Sequence, residues 1–310
     1  DDDKIDLLTG LRPNRGEDRY LAGINHSGGL GRAWSTHLDI NHVSDVDYFR
    51  DLGNLTLDDN SLTHLQRRAS AGYKTRHWNY SVAAQDYQVI TQGLDEQYWL
   101  LPQISADGYY RWSNSLVVDL KNRHSVFNHS DKRFVTGSRS SIDYGISWDK
   151  RWSWGYFKPQ FRARHLSYSL DAGQQSRLLD SDPSVSVPVY SIDTGIFLER
   201  NSGWLNNYKQ YFAPRLFYVR ADYKDQSNLP DFDTREFTPS YDLLFRENRF
   251  NGGDRISDEN RLTLAFTTLY IDQSTGQERF RARVAQSIYY DDRRVTLAAD
   301  PSMEELDELS

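Results

Sequence analysis

Cysteine is absent from this 310-residue chain, and methionine occurs once. The absence of cysteine argues against a disulfide framework, a thiol nucleophile and cysteine-ligated zinc. No run of roughly 18 apolar residues occurs, so the sequence predicts no transmembrane helix. The opening DDDKIDLLTG has neither a basic segment nor an apolar stretch, so it does not predict a signal peptide. Either the segment is cut from a larger precursor or the protein is not exported.

Clustered positive charge and catalytic motifs are also missing. The net charge is -7, whereas broad contact with nucleic-acid phosphates requires grouped lysine and arginine. There is no nucleophile elbow, Walker loop or glycine-rich dinucleotide motif. His124 and His129 have an odd spacing, which on a strand places them on opposite faces. The sequence therefore predicts no nucleic-acid partner, no enzyme, no catalytic residues, no cofactor and no bound metal.

What the chain does contain is many aromatic residues, 14% of the total, and a recurring alternation of apolar and polar residues. From Ile142 to Trp148 every second residue is large and apolar, while Asp, Gly and Ser stand between them. Such period-two alternation is typical of a strand with two different environments. Similar stretches from Arg19 to Tyr290 predict about twelve strands and no convincing helix. Four prolines inside these stretches indicate either bulges or misplaced strand limits: Pro102, Pro159, Pro188 and Pro214.

The predicted connections between strands alternate in length. Short turns such as SGGL, DKRW and DQSTGQ alternate with longer loops, of which 45–60, 170–184 and 224–259 are the longest. A connection as long as 224–259 is far beyond the usual hairpin loop and indicates a function. Outer-membrane barrels have short periplasmic turns at one end and long extracellular loops at the other. The pattern therefore favours an all-β, antiparallel transmembrane β-barrel segment.

Aromatic residues concentrate at two of the predicted short turns. In an outer-membrane barrel, amphipathic rings form girdles at the membrane interfaces. Cross-strand packing in a water-soluble β-sandwich is the alternative interpretation. We favour the girdle because the clusters lie at turns rather than in the middle of strands. The predicted interface residues are Tyr109, Tyr110, Trp112, Trp148, Trp152 and Trp154.

One region resembles a known family. The segments YFAPRLFYV (211–219), DQSNLPDFDT (225–234) and SYDLLFRENRFNGGDRISDENRLTLAFTT (240–268) are similar to the LptD family of lipopolysaccharide-assembly proteins of the outer membrane, also called organic-solvent-tolerance proteins. The resemblance extends from about Arg19 to Tyr290. It implies that residues 1–310 form the middle of a larger outer-membrane barrel, without the family's N-terminal periplasmic jelly-roll domain and without the first and last barrel strands.

The resemblance also implies a function and a set of partners. LptD proteins insert lipopolysaccharide into the outer leaflet of the outer membrane of Gram-negative bacteria, through an opening between the first and last strands. The expected partners are lipopolysaccharide, the lipoprotein plug LptE, the periplasmic bridge protein LptA, the barrel-assembly machinery and outer-membrane lipids. A porin or nutrient-uptake barrel is the alternative function, and a soluble β-rich carbohydrate-active enzyme is a third hypothesis.

Basic residues on the polar faces of the predicted strands are candidates for contact with lipopolysaccharide. Arginine forks suit phosphate and carboxylate groups, although arginines paired with acids in a solvated wall would give the same pattern. The loop 224–259 is expected to cap the lumen from outside. Its acids Asp225, Asp231 and Asp233 are expected to be solvated, and in a barrel to share divalent ions with lipopolysaccharide phosphates. The lumenal candidates are Arg68, Lys158, Arg162, Arg164, Arg279, Arg281 and Arg283.

Overall fold

The computed structural model describes residues 18–45, 48, 63–90, 96–172, 180–201 and 207–297, and these form an all-β protein, as predicted. Besides strands they contain one short 3-10 helix, Tyr241–Phe245. No helix in these ranges is long and apolar enough to cross a membrane. In chain order the strands are β1 (Leu21–Gly28), β2 (Trp34–Val43), β3 (His64–Lys74), β4 (Trp78–Val89), β5 (Trp99–Arg111), β6 (Leu116–Asn128), β7 (Gly137–Trp148), β8 (Lys150–Trp152), β9 (Gly155–Leu170), β10 (Ser184–Ile196), β11 (Leu198–Asn201), β12 (Tyr208–Ala221), β13 (Glu259–Asp272) and β14 (Glu278–Tyr289).

The strands are hydrogen-bonded to one another in chain order. Twelve of them follow the path β1-β2-β3-β4-β5-β6-β7-β9-β10-β12-β13-β14, which confirms the prediction of about twelve strands. The short β8 and β11 lie off this path and pair with β9 and β12 respectively. β10 ends at Ile196 and β11 begins at Leu198, so Phe197 interrupts what would otherwise be one continuous strand.

The connections alternate in length along the described strands. Short turns join β1 to β2, β3 to β4, β5 to β6 and β13 to β14. Longer connections join β2 to β3, β6 to β7, β9 to β10 and, longest of all, β12 to β13. Because consecutive connections of an antiparallel meander leave from opposite ends of the strands, this alternation sorts short turns from long loops.

Contacts along the chain divide it into two compact units. The first comprises residues 1–105, 124–138 and 171–176, and the second comprises 106–123, 139–170 and 177–310. In the first unit, β1 to β4 form an antiparallel meander with continuous register. Trp34 on β2 lies opposite Tyr73 on β3, with ring centroids 4.7 Å apart. Val43, Leu65 and Ile90 form a small buried cluster at the long-loop end.

The second unit has an inverted distribution of polarity. Along β10, Val185, Val187 and Val189 are buried, whereas Tyr190 is 52% exposed and lies opposite Phe161 on β9. The same exposed face carries large apolar side chains from four further strands, while the opposite face buries arginine, serine and threonine. A soluble sheet would bury its large apolar side chains. The exposed apolar side chains include Ile142, Tyr144, Ile146, Trp148, Phe161, Tyr190, Ile192, Phe212, Leu264, Phe266, Phe280, Val284 and Ile288.

The prolines do not mark bulges in β9, β10 and β12. The register of β9 with β10 runs unbroken through Pro159 and Pro188, and that of β12 with β13 runs unbroken through Pro214. All three alternate with the polar residues of their strands and so lie on the exposed apolar face. Pro102 likewise lies within β5. The predicted alternative, that bulges accommodate these residues, is therefore wrong for Pro159, Pro188 and Pro214.

The register does shift between β13 and β14. Tyr270 pairs with Phe280, but the next residue, Ile271, pairs with Glu278. Arg279 is therefore an extra residue in β14, which is the arrangement of a β-bulge.

The exposed apolar face predicts an asymmetric response to charge. Replacing Tyr190 by Arg in the middle of β10 should destabilise the protein in lipid vesicles by about 2–4 kcal/mol, the cost of a lipid-facing arginine near the midplane. Gln160 on β9 points to the opposite face, and its replacement by Arg is the matched control. Urea titration of the vesicle-embedded protein measures both, and equal losses in the two variants would contradict the assignment of faces.

Candidate functional site

The long connection between β12 and β13, residues 222–258, folds against the polar face of the second unit. Its own apolar side chains Leu229, Phe232, Phe250 and Ile256 are buried. A backbone bridge between Glu236 and Phe250 closes its central part into a narrow loop. The connection is therefore an ordered structure with its own interior, and we call it the inner loop.

Asp254 is the centre of the contact between the inner loop and the sheet. Its carboxylate is fully buried and accepts hydrogen bonds from Arg139 Nη1 on β7 at 2.6 Å and from the Tyr168 hydroxyl on β9 at 3.1 Å. Within the loop it also accepts from the backbone N–H groups of Phe232 and Asp233 and from the Thr234 hydroxyl. Because a buried charge is costly unless it is paired and hydrogen-bonded, these contacts fix the loop in one place.

Arg139 completes this anchor from the sheet side. Its side chain is only 2% exposed and also donates from Nη1 and Nη2 to the two carboxylate oxygens of Asp233, at 2.7 and 2.9 Å. Gly252 adopts a φ of +69°, which favours glycine, and a Cβ on Gly253 would lie 2.6 Å from the Arg139 guanidinium carbon. The two glycines therefore allow the loop backbone to approach the buried arginine.

A second set of contacts joins the inner loop to β9 and β10. Glu247 accepts from Arg164 Nη2 at 3.0 Å and from the Ser191 hydroxyl at 2.6 Å. Its carboxylate also lies 3.3 Å from Arg162 Nε, an ion-pair distance without hydrogen-bond geometry. Arg162 donates from Nη1 to Asp119 on β6 and to Asp143 on β7. Four strands and the loop are thus linked by one network of charged groups.

The 3-10 helix provides a third contact. Arg261 on β13 is buried and donates to the carbonyl oxygens of Leu244 and Arg246 at 2.6 and 2.7 Å. The Arg215 guanidinium on β12 lies 3.7 Å from the centroid of the Phe245 ring, a cation–π arrangement. Carbonyl groups that the short helix leaves unpaired at its end are satisfied by the sheet.

The pKa values of the loop acids differ with their surroundings. Burial alone would raise the pKa of Asp254, but the charge of Arg139 and the hydrogen bonds it receives hold the pKa below the ordinary value of 3.8. Burial, followed by the nearby charge of Asp254, raises the pKa of Asp231. Asp225 is exposed, and a hydrogen bond from the Ser227 backbone lowers its pKa.

The predicted basic residues occupy different environments. Arg162 and Arg164 lie on the polar face of the second unit, in the network around Glu247. Lys158 lies on the same face of β9, opposite Asp193. Arg68, in the first unit, is exposed and donates to Gln85.

The three arginines of β14 are all exposed. Arg281 pairs with Glu278, and Arg283 lies over the Tyr241 ring at 5.3 Å. Arg279 is the bulge residue, so strand pairing does not assign it to a face.

The predicted acids and aromatic residues are also placed. Asp225 and Asp231 accept bonds from nearby loop backbone, but Asp233, which was expected to be solvated, is bound to Arg139. Five of the six predicted interface aromatics are strongly exposed, and Tyr110 is half-buried. The rings of Trp152 and Trp154 stack 5.1 Å apart. Among the described residues no group of three or more His, Asp and Glu side chains is arranged to hold a metal ion.

Sequence reasoning missed Arg139, Glu247 and Asp254. Arg139 stands at every second position together with Ser141 and Asp143 and shares their polar face, so its face was available from the pattern. The positions of Glu247 and Asp254 depend on how the loop folds, and the loop has no regular period. Two consecutive glycines immediately before Asp254 were the one local signal of a close backbone approach.

An antiparallel sheet with an exposed apolar face, a charged face opposite and connections sorted by length belongs to the outer-membrane β-barrel class. Comparison with known proteins agrees with that class. The family model of LptD, described as LPS transport system D, matches residues 17–308, and the chain belongs to this family.

Similar curated proteins come from several bacteria. The chain is 34% identical to an LPS-assembly protein LptD of Saccharophagus degradans over 302 residues, covering 92% of this chain and 35% of the relative. It is 35% identical to that of Hahella chejuensis, covering 93% and 37%, and 37% identical to that of Alcanivorax borkumensis, covering 90% and 37%. The chain thus spans just over a third of the length of these relatives.

Removing the buried arginine should release the inner loop. Replacing Arg139 by Gln leaves Asp254 buried without its cation, and breaking a buried pair costs about 3–5 kcal/mol. We expect faster tryptic cleavage after Arg235 and Arg246, followed by mass spectrometry of the fragments. Asp225→Asn, which removes an exposed carboxylate from the same loop, is the control and should not alter the cleavage rate. Unchanged cleavage in Arg139→Gln would contradict the anchor.

The contact between Asp254 and Arg139 also predicts that release of the inner loop depends on pH. Because the pKa of Asp254 in the folded loop is below 3.8, its stabilising contribution is fully present above that pH and is lost as the pH falls through the lower folded value. Pepsin cleavage of the loop should therefore accelerate only in strongly acidic solution, and this acceleration should be weaker in Asp254→Asn. Release of the loop near about pH 6, far above an ordinary carboxyl pKa, would count against Asp254 as the responsible group.

Proposed function

We propose that the chain forms part of an outer-membrane lipopolysaccharide translocon, which inserts lipopolysaccharide into the outer leaflet. The observation that carries the proposal is the inverted polarity of the second unit, combined with family membership over almost the whole chain. The apolar face supports a location in lipid, in the outer membrane of a Gram-negative bacterium. The curated relatives are named LPS-assembly proteins, which supports lipopolysaccharide as the substrate.

The polar face provides the groups that the saccharide head of lipopolysaccharide requires. Arg281 and Arg283 are exposed on β14 and share the face of Thr267 and Leu269, so they are available to phosphate and carboxylate groups. The acyl chains remain in contact with lipid and leave sideways. Since no nucleotide-binding motif occurs, the protein acts as a passive conduit and the energy is supplied elsewhere.

The complete machine includes further proteins in this proposal. The family resemblance supports the lipoprotein LptE as a plug, LptA as the periplasmic bridge that delivers lipopolysaccharide, and the barrel-assembly machinery as the factor that inserts the barrel. We further propose that 1–310 is a partial barrel and that the inner loop is reached from the extracellular side, where long barrel loops lie. The porin alternative gains no support from the comparisons.

Reversing charge on β14 tests the conduit. Arg281→Glu together with Arg283→Glu in the full-length protein should slow the appearance of lipopolysaccharide at the cell surface several-fold, because like charges repel the phosphates of the head. The readout is labelling of surface lipopolysaccharide after a metabolic pulse. Lys150→Glu with Arg151→Glu makes the same charge change in the short strand β8 and should leave display normal. Normal display in the β14 variant would remove these arginines from the pathway.

Loss of the inner loop should open the barrel. Deleting residues 224–258 in the full-length protein removes the structure that folds against the polar face through Arg139, Arg164 and Ser191, so cells should become more sensitive to large antibiotics. Arg139→Gln, which releases the loop without shortening the chain, should have the same effect in a weaker form. If both variants assemble at normal levels and keep normal antibiotic resistance, the loop does not close the lumen.

A further inference from the structure

A small cavity lies between the inner loop and the polar face of β6, β7 and β9, all within the second unit. Its volume is about 260 Å³, below the roughly 300–1,000 Å³ of pockets for drug-sized ligands. The loop contributes Asn248, Gly252, Gly253 and Ile256 to its lining. A cavity of this size suits one small polar group rather than a whole lipid.

The lining of this cavity is rich in cations. Five basic side chains face two acidic ones, Asp107 and Asp143. Two of the five are neutralised or satisfied elsewhere: Arg139 by the loop carboxylates, and Arg255 by the carbonyl oxygens of Leu229 and Pro230. The other three are Lys121, Arg123 and Arg164, of which Arg164 pairs with Asp143 through Nε and with Glu247 through Nη2.

These three retain unused hydrogen-bond donors. Arg164 Nη1 is buried and has no hydrogen-bond partner among the described residues, although Nη2 of the same side chain donates to Glu247. Lys121 and Arg123 lie two positions apart on β6 and therefore share a face, and both are exposed. Neither forms an ion pair in the described part of the chain. A buried donor without an acceptor costs free energy, so an anion that supplied the acceptor would stabilise the site.

We propose that this cavity is an anion-binding site for a phosphate group, with Lys121, Arg123 and Arg164 Nη1 as its donors. The inference rests on the proposed function in one respect: the phosphate that reaches this site in the cell belongs to the saccharide head of lipopolysaccharide. A tetrahedral phosphate oxygen accepts charge-assisted bonds from both guanidinium and ammonium groups, which this mixed set supplies.

Glu247 gives the site a built-in competitor. Its carboxylate already accepts hydrogen bonds from Arg164 Nη2 and from the Ser191 hydroxyl. An arriving phosphate and the Glu247 carboxylate repel each other, because both are anions drawn to one guanidinium. Binding of phosphate therefore weakens the contact between the inner loop and β9, which couples occupation of the site to the loop.

Titration with inorganic phosphate tests the site directly. The full-length protein in detergent micelles, free of phosphate buffer, is titrated by calorimetry and should bind phosphate saturably. Lys121→Gln with Arg123→Gln should weaken binding by more than about tenfold, since the double variant removes two charge-assisted bonds to the phosphate. Glu247→Gln should tighten binding several-fold, because it removes the competing charge and keeps the shape of the side chain.

The control is Lys150→Gln with Arg151→Gln, which removes the same charge in the short strand β8 and should change binding less than about twofold. Absence of saturable binding overturns the proposal. So does equal weakening in the control pair, because the attraction would then be diffuse. Tighter binding in Glu247→Gln that disappears when Lys121 and Arg123 are also replaced supports the site.

Two further arms separate this inference from the proposed function. Purified lipopolysaccharide should displace phosphate from the protein, whereas enzymatically dephosphorylated lipopolysaccharide should not; displacement by both contradicts a phosphate site. Surface display of lipopolysaccharide is measured independently in the Arg281→Glu/Arg283→Glu cells. If phosphate does not bind but lipopolysaccharide display is slowed in those cells, the anion-binding site is refuted and the proposed translocon function is retained. Saturable binding with normal display retains the anion site and removes Arg281 and Arg283 from the transport pathway.

Discussion

The guanidinium of Arg139 is the group on which the arrangement of the inner loop depends. It is almost fully buried, and it is held between the carboxylates of Asp233 and Asp254. Desolvating three charges is expensive, and the cost is offset only when each charge keeps its partners in good geometry. Asp254 meets that requirement through five donors from the sheet and the loop. A loop displaced by even a few ångströms would lose several of these bonds together.

The same requirement explains the two faces of the second unit. Arginine, serine and threonine can be buried on one face because the loop and neighbouring strands supply acceptors and donors there, as Glu247 does for Arg164 and Ser191. The other face carries mainly apolar side chains that need no partner, such as Ile192 and Phe266, and the Tyr144 hydroxyl on that face donates to Asn122. The two faces therefore suit two different surroundings, one apolar and one polar.

Alternation of side chains was sufficient to predict the strands and the faces of Arg162 and Arg164, because a period of two is a local property of extended backbone. The partners of those residues were not predictable. Arg139 and Asp254 are 115 positions apart, and no local pattern connects them. The inner loop has no repeating period, so its fold is determined by contacts between distant residues. An example is the pair of hydrogen bonds between the side-chain amide of Gln226 and the backbone of Ile256. The strand limits near Phe197 also escaped prediction, since the break there does not change the alternation.

The bulge at Arg279 changes how charges can be spaced along β14. In a regular strand, residues three positions apart point in opposite directions, so Glu278 and Arg281 would be separated by the thickness of the sheet. The extra residue cancels one step of the alternation, and the two side chains meet as an ion pair. A carboxylate that simple counting would place on the exposed apolar face, beside Phe280, thereby lies on the polar face. The inserted residue shifts the alternation of faces by one position at the start of β14. Glu278 can therefore lie on the same face as Arg281, although the two residues are three positions apart.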